Sequence, residues 1–315
     1  MTCRCMGTVL LMTCAALTAG VAACSKPSST AVASKDRYNV TLRWTAHGVP
    51  HVRAQDWGSL GYGLAYAVAT DAVCTLAREF VDVRGEQSKF FGPEAGRREA
   101  DIFHKAVITE QALAQTTAGA SEQMAALLEG YVAGYNRYLA DHPGDQRPAS
   151  CRNQTWVRPI DSSDIARVMV GIGIRYGMGR SPAAIATAAP PGRDETITPV
   201  AAPRTQADAT LFGSNAIALG RVATVNGKGM MLGNPHYPWS GPSRFHMAHL
   251  TIPGEYDVMG VGLISTPFLA IGFNEDIAWS HTVSTALRFT LYELALDPKD
   301  ALAYRYGRQT RKLTP

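Results

Sequence analysis

Apolar positions in the first half of the chain recur with the period of an α-helix. The run LGYGLAYAVATDAVCTLAREFVDV, residues 60–83, has this period over its whole length and predicts a long helix. Two more helices are predicted over 101–115 and 121–141, and a fourth begins near Asp161, where acidic and serine side chains supply capping groups. Ahead of them, an alternating stretch around His-Gly-Val-Pro at 47–50 predicts a β-hairpin.

The pattern changes to that of β-strands after residue 212. Residues 214–239 contain short apolar runs on either side of Asn-Gly-Lys-Gly, which predicts a hairpin with its turn at 226–229. Short strands broken by Gly, Pro and Asn-Glu-Asp follow over 245–283, and another is predicted over 290–298. Between the halves, residues 181–210 are rich in Ala, Pro and Thr with no apolar period, which predicts a linker or an excisable spacer.

The N-terminal residues predict export. Arg4 precedes an apolar run over 7–23, which is shorter than the ~20 residues of a membrane-spanning helix and is typical of a signal-peptide core. The run ends in Val-Ala-Ala-Cys, which is similar to the bacterial lipoprotein box. We therefore expect a signal peptide over 1–23, a lipid on Cys24 and a tether over 24–37. An ordinary signal peptide with a chance cysteine is the alternative.

Composition supports a globular, exported protein. Hydrophobic residues make up 46% of the chain and charged residues 18%, so a large core is expected and general disorder is not. The net charge of +4 is small, and the basic residues are scattered except for a cluster over 305–312. No basic stripe with interleaved aromatic residues is present, so no nucleic-acid partner is expected. The expected location is the periplasm or cell surface, with lipid anchoring to the membrane.

Cysteine usage leaves two thiols in the exported part. Of the six cysteines, three lie within the signal peptide and Cys24 would carry the lipid. The remaining two, Cys74 and Cys151, are expected to form a disulfide in an oxidising compartment. Two buried free thiols are the alternative.

Several common catalytic and ligand-binding motifs are absent or weak. The sequence contains no Gly-X-Ser-X-Gly elbow and no Ser-X-X-Lys. His246 and His249 lie in a strand-like run, where a spacing of three predicts opposite faces rather than a zinc site. His47 and His51 flank Gly48 and Pro50 and are interpreted as turn residues. Gly-Tyr-Gly at 61–63 lacks the third glycine of a nucleotide loop and predicts close helix packing instead.

Ser214 is the strongest candidate for chemistry. It follows Gly213 at the boundary between the spacer and the regular β-rich segment. If the chain is cut there, the serine gains a free α-amine with a pKa near ~7.7–8.0, which can act as base for its own hydroxyl. The glycine leaves room for the hydroxyl to attack the preceding carbonyl. The alternative is an ordinary linker serine.

The wider context of Ser214 resembles a known family. GSNAIALG, LGNPHYPW, HLTIPGEYDVMG and IGFNEDIAWSHTV follow one another in the order seen in the penicillin acylase family of N-terminal nucleophile hydrolases, in particular its acyl-homoserine lactone acylase and aculeacin acylase branch. LRWTAHGVPHVRA, GYGLAYAVATDAVC, VRGEQSKFFG and WVRPI agree in the first half. The resemblance implies an α+β fold, the αββα N-terminal nucleophile hydrolase sandwich in partial form.

The resemblance assigns roles to individual residues. It implies Ser214 as nucleophile and first residue of the β-chain, with Gly213–Ser214 as the autocleavage bond. His236 matches the histidine beside the nucleophile, and the backbone N–H of Val283 matches one donor of the oxyanion hole. Asn215 is interpreted as a capping or site-ordering residue. Phe and Trp residues after position 236 are expected to line an apolar acyl pocket.

The resemblance also implies how the chain is divided and what it acts on. We expect a mostly helical α-chain over 38–180, a spacer over 181–213 and the N-terminal part of the β-chain over 214–315. The two chains would form a heterodimer that hydrolyses a small-molecule acyl amide: an N-acyl-homoserine lactone, a lipopeptide or a β-lactam antibiotic.

Two features depart from the family pattern. TVSTALRFT, residues 282–290, contains none of the aspartates that bind calcium in the penicillin G acylase branch, so neither a metal nor a cofactor is expected. The family's β-chain is much longer than the segment from Ser214 to Pro315, so the chain is expected to be a truncated member whose second oxyanion donor lies beyond Pro315. A non-catalytic exported lipoprotein, descended from such an acylase, is therefore the alternative function.

Overall fold

The computed structural model describes residues 37–175, 177–188, 213–284, 290 and 292–313. The predicted signal peptide, Cys24, nearly all of the tether and most of the spacer lie outside the described residues.

The first part of the chain is helical. The α-helices are α1 (Trp57–Val83), α2 (Gln87–Phe91), α3 (Arg97–Val107), α4 (Glu110–Ala118), α5 (Glu122–Asp141), α6 (Ser162–Arg175) and α7 (Pro182–Ala186). The Asp56 side chain caps α1 by accepting from the Ser59 N–H, and Ser121 caps α5 by accepting from the Met124 N–H. Both caps satisfy backbone N–H groups that have no partner inside the helix.

The helix predicted over 101–115 is wrong as a single element. The structure has two helices there, because Ile108 leaves the helical conformation with φ −87° and ψ 73°. Thr109 then caps α4, its side chain accepting from the Ala112 N–H. The threonine favours a new helix start over continuation, since its hydroxyl replaces an absent intrahelical acceptor.

Glycines let α1 and α5 approach backbone to backbone. A Cβ at Gly61 would lie 2.0 Å from the Leu127 carbonyl oxygen, and one at Gly130 would lie 1.8 Å from the Gly58 carbonyl oxygen. The close packing predicted for Gly-Tyr-Gly is confirmed. α1 is also long and apolar enough to cross a membrane, but 67% of its most apolar window is buried within the protein, as expected of a core helix.

Two strands precede the helices, and the later part of the chain is rich in β-strands. In chain order the strands are β1 (Val40–Trp44), β2 (Pro50–Ala54), β3 (Gly213–Leu219), β4 (Met230–His236), β5 (Phe245–Ile252), β6 (Tyr256–Leu263), β7 (Ile271–Phe273), β8 (Ala278–Trp279), β9 (Leu296–Asp297), β10 (Asp300–Tyr306) and β11 (Gln309–Lys312). The hairpin predicted around residues 47–50 is β1–β2, but His51 lies in β2 rather than in the turn.

One six-stranded sheet combines strands from both sides of the spacer. Its order is β1-β2-β5-β6-β7-β8, and the pairing of β2 with β5 is parallel, with His51 opposite His249. The other pairs are antiparallel. α1 packs on one face of this sheet, where Val52, Ala248 and Leu250 are buried in the main core.

Alternation along β5 separates its two histidines. His246 lies on the face covered by α1, where its Nε2 is 3.0 Å from Asp71 Oδ2. His249 lies on the other face, where its Nδ1 is 3.0 Å from His51 Nδ1 and its Nε2 is 2.5 Å from Asp257 Oδ1. The prediction that these two side chains occupy opposite faces is confirmed.

β3 and β4 form an antiparallel hairpin, as the Asn-Gly-Lys-Gly motif predicts. Gly227 in the connection has φ +64°, a conformation that glycine adopts without strain. β4 lies beside β8, and a Cβ at Gly233 would be 3.1 Å from Ser280 Oγ. Apolar side chains on the hairpin are poorly covered: Ile217 is 56% exposed and Leu232 is 55% exposed.

A small sheet of order β11-β10-β9 follows. Of the strand predicted over 290–298, Leu296 and Asp297 are the residues assigned to a strand within the part that the structure describes. Tyr292 and Leu294 are exposed, so burial does not favour a longer strand here.

The fold class is confirmed as α+β, with a helical first part and a β-rich second part. The helices and the six-stranded sheet form one α-layer packed on one β-layer, and the complete αββα sandwich stays a prediction. The spacer prediction overlaps α7, which packs against α3. The α-chain and spacer boundaries themselves stay predictions.

Cys74 and Cys151 are joined by a disulfide in the structure, with their Cα atoms 5.5 Å apart. The bond connects α1 to the short 3₁₀ helix Ala149–Cys151, which follows α5.

Candidate active site

Ser214 lies at the start of β3, with its hydroxyl against the preceding peptide group. Its Oγ–H donates a hydrogen bond to the carbonyl oxygen of Gly213. Gly213 and Ser214 are half-buried, whereas the other residues of β3 are exposed. The hydroxyl therefore lies on the same peptide group that the sequence predicts to be cut.

His236 lies opposite Gly213 in the hairpin register. An ideal Cβ at Gly213 would lie 3.0 Å from the His236 Nδ1, so the absence of a side chain lets the imidazole approach the strand. Alternation places Ser214 and Pro235 on the other face of the hairpin. The structure thus brings His236 to Gly213 rather than to the Ser214 hydroxyl.

Asn215 reaches the same imidazole diagonally across the hairpin. Its Nδ2 is 3.3 Å from His236 Nε2, so the amide donates and Nε2 accepts. In the neutral ring this leaves the proton on Nδ1, the nitrogen that faces Gly213. This hydrogen bond fixes the orientation of the imidazole, as a site-ordering role for Asn215 requires.

Val283 lies in the chain segment that follows β8 and is half-buried. β8 packs beside β4, and β4 ends in His236. The segment that contains Val283 therefore begins in the strand next to the one that carries His236. Residues 285–289, which include most of the segment in which no calcium site is expected, lie outside the described residues. The role of the Val283 N–H as an oxyanion donor stays a prediction.

Aromatic side chains follow His236 directly. Tyr237 stacks on Phe245 with ring centroids 4.8 Å apart, which fixes the chain as it leaves β4. Trp239 is 96% exposed, so it belongs to the surface rather than the core. Trp279 in β8 is oriented by its Nε1–H, which donates to the Ala270 carbonyl at 2.8 Å.

The helical layer contains a group of acids that sequence reasoning missed. Glu79 is only 2% exposed and pairs with Arg175 at 2.7 Å; burial raises its pKa. Burial likewise raises the pKa of Asp82 to about 7, with the neighbouring Glu79 carboxylate adding to the shift. Burial lowers the pKa of His104. The sequence does contain a signal for this group, because Glu79 and Asp82 are three residues apart in the apolar helix α1. That spacing places both side chains on one face of the helix.

Within the described ranges, no group of three or more His, Cys, Asp or Glu side chains is arranged to hold a metal ion.

Comparison with known proteins shows strong sequence similarity to named acylases. The chain is 43% identical over 278 residues to acyl-homoserine lactone acylase PvdQ of Pseudomonas syringae pv. tomato, covering 84% of this chain. It is 38% identical over 286 residues to aculeacin-A acylase of Actinoplanes utahensis, covering 85% of this chain. The chain spans about a third of the length of these relatives, 36% in each case.

The chain is also similar to a solved structure and matches a family model. Thermostable penicillin G acylase from Alcaligenes faecalis superimposes with a TM-score of 0.41 and 23% identity, covering 45% of this chain and 75% of that one. The family model for penicillin amidase matches residues 39–315, which is nearly everything after the predicted tether. The chain therefore belongs to the penicillin amidase family.

Proposed function

We propose that this chain is an N-terminal nucleophile amidohydrolase that cuts itself between Gly213 and Ser214. The observation that carries the proposal is the placement of the Ser214 hydroxyl against the Gly213 carbonyl, with His236 against the same glycine. Membership of the penicillin amidase family supports it.

Self-cleavage would proceed by transfer of an acyl group from nitrogen to oxygen. Ser214 Oγ attacks the carbonyl carbon of Gly213 and loses its proton, the C–N bond breaks, and the freed nitrogen gains a proton as the α-amine. Water then hydrolyses the resulting ester, which releases the Gly213 carboxylate and regenerates the hydroxyl. We propose that His236, whose protonated Nδ1 faces Gly213, donates to the departing nitrogen through a water molecule and regains the proton that Oγ loses.

Hydrolysis of a substrate would use the same hydroxyl. The new α-amine, with an ordinary pKa near ~7.7–8.0, accepts the Oγ proton as the oxygen attacks the amide carbon. The amine part of the substrate leaves after protonation, and water releases the acyl group from the serine ester. The Val283 N–H is proposed to stabilise the oxyanion formed in both steps.

The proposed substrates are N-acyl amides with an apolar acyl chain. One relative is named for acyl-homoserine lactones and another for aculeacin A. These names support lactone signals or lipopeptides as the proposed substrates. β-Lactam antibiotics are the third proposed class. Exposed Trp239 and the Tyr237–Phe245 pair are the apolar groups nearest to His236 along the chain and would contact the acyl chain.

Processing would give an α/β heterodimer, exported and lipid-anchored through Cys24. The shared six-stranded sheet supports the heterodimer, because β1 and β2 precede the proposed cut and β5 to β8 follow it. Replacement of Cys24 by Ala should move the protein from the membrane to the soluble exported fraction. Retention in the membrane fraction would argue against the lipid anchor.

The deciding experiment is the intact mass of the exported chain beside two serine variants. Ser214→Ala removes the proposed nucleophile, whereas Ser240→Ala removes an exposed hydroxyl from the loop after β4 and serves as the matched control. We expect two fragments that meet at Gly213–Ser214 in the parent and the control, and one uncut mass in Ser214→Ala. An uncut parent would contradict the proposal and favour the non-catalytic lipoprotein.

A further inference from the structure

A cavity of about 300 Å³ opens in the helical layer, where the end of the helical part meets the chain that leads into β5. Its walls come from α1, α3, α6, the segment that contains α7, and the residues just before β5. The residues that line it are Glu79, Asp82, Val83, Ala100, Phe103, His104, Gly171, Ile174, Arg175, Gly179, Pro182, Pro242 and Ser243.

One acid in the wall is already neutralised. The Arg175 guanidinium donates from Nη2 to Glu79 Oε1 at 2.7 Å and from Nη1 to Ser243 Oγ at 2.7 Å. Both terminal nitrogens of the Arg175 guanidinium are therefore engaged, and its charge is paired with the Glu79 carboxylate.

Asp82 differs from Glu79 although it lies on the same face of α1. It forms no ion pair within the part of the chain that the structure describes, and its buried Oδ1 has no hydrogen-bond partner there. Arg78 is the nearest cation on its own helix, but its guanidinium stacks on the Phe91 ring at 4.1 Å. An acid without a cation partner favours a cationic ligand.

The groups around Asp82 do not replace that partner. Glu79 and Arg78 act on it from α1, Asp101 from α3 and Arg175 from α6. His104 on α3 also lines the cavity, and burial lowers its pKa, so it is neutral near pH 7. The rest of the wall is largely apolar, with Phe103 and Ile174 as its large side chains.

We propose that this cavity binds a small primary ammonium ion with an apolar body, and that Asp82 pairs with the ammonium group. Neither Ser214 nor His236 is among the described residues that line the cavity, so the proposal does not depend on the function proposed above. The ligand is defined by its chemistry: one compact cation for the carboxylate and a few apolar carbons for the walls.

The test is calorimetric titration of the uncut Ser214→Ala chain with benzylammonium and with benzyl alcohol, which has a similar shape without the charge. At about pH 8 we expect benzylammonium to bind at millimolar concentration or below and the alcohol to bind at least about tenfold more weakly. Asp82→Asn should lose that preference. Asp276→Asn, which removes a charge from an exposed turn, should keep it.

A second measurement follows the affinity with pH and needs no variant at position 82. The pKa of Asp82 is raised to about 7, so its carboxylate fraction falls from about nine-tenths at pH 8 to about one-tenth at pH 6. Benzylammonium should therefore bind about tenfold more weakly at pH 6. Equal binding of the two ligands, unchanged binding after Asp82→Asn, or no binding by the Ser214→Ala chain would each overturn the proposal.

Discussion

The helix–sheet core and the β3–β4 hairpin are stabilised in different ways. In the core, Leu60, Phe80 and Tyr131 are fully buried, and the Tyr131 hydroxyl donates to the Ile264 carbonyl across the two layers. In the hairpin, Ile217 and Leu232 remain more than half exposed and the site residues are positioned by register and a few hydrogen bonds. The difference indicates that changes in the core affect folding first, whereas changes in the hairpin affect chemistry first.

The largest expected effect is that of Gly130→Ala in the core. The new Cβ would lie 1.8 Å from the Gly58 carbonyl oxygen, and the rigid backbones of α1 and α5 would have to separate. We expect a loss of more than about 3 kcal/mol in the free energy of unfolding, measured by urea denaturation. Gly173→Ala in α6 is the matched control, since its Cβ meets nothing within 4 Å and should stabilise the helix slightly. Equal stability of the two variants would contradict this packing.

Removal of the disulfide is expected to have the next largest effect. Cys151→Ser should lower the free energy of unfolding by about 2–4 kcal/mol, because a cross-link over 77 residues restricts the unfolded chain. Thermal unfolding with and without a reductant measures it: the parent should lose stability on reduction and the variant should not. A parent that is insensitive to reductant would show free thiols instead.

The pH dependence of stability tests Asp82, the half-buried acid at the end of α1. The pKa of Asp82 is raised to about 7 in the folded chain, well above its ordinary value of 3.8, so folding binds a proton between these limits. The parent therefore loses stability as pH rises through this window. Asp82→Asn removes that loss, and its advantage over the parent should grow by about 2–3 kcal/mol between pH 5 and pH 8. Denaturation at both pH values measures it, with Asp276→Asn as the control that should show no such trend.

The smallest effect on stability, but a clear one on chemistry, is expected for Gly213→Ala. Its Cβ would lie 3.0 Å from His236 Nδ1 and would displace the imidazole from the peptide group. We expect the free energy of unfolding to change by less than about 0.5 kcal/mol, because the hairpin is exposed. Self-cleavage should slow by about tenfold or more, which a time course of intact mass would show. A variant that cuts at the parent's rate would remove His236 from the proposed mechanism.

Much of the fold was accessible from periodicity and turn chemistry. The helical patterns of residues 60–83 and 121–141 predicted α1 and α5, and Asn-Gly-Lys-Gly predicted the β3–β4 hairpin. The break after Ile108 was missed, because a single threonine cap within a polar helical run is a weak signal. The β10–β11 hairpin was also missed. Its turn glycine, Gly307 with φ +60°, lies within a basic cluster that shows no alternation.

Long-range pairings could not be predicted from local pattern. The parallel contact of β2 with β5 joins residues 198 apart in sequence, His51 and His249. Sequence motifs, rather than periodicity, predicted the candidate site. The relative positions of Ser214, Asn215 and His236 follow from the register of the β3–β4 hairpin. Pairing of Gly213 with His236 places the imidazole beside Gly213, and the residues around Ser214 alone do not predict this position.

The parallel β2–β5 pairing has a consequence for how the protein folds before and after the proposed cut. An intact chain forms this pairing within one polypeptide, at a rate independent of protein concentration. After a cut at Gly213 the same sheet would belong to two polypeptides, and a processed molecule that is unfolded and separated must find its partner again by diffusion. Folding before the proposed cut and refolding after it would then differ in reaction order, which favours formation of the sheet before the bond is broken.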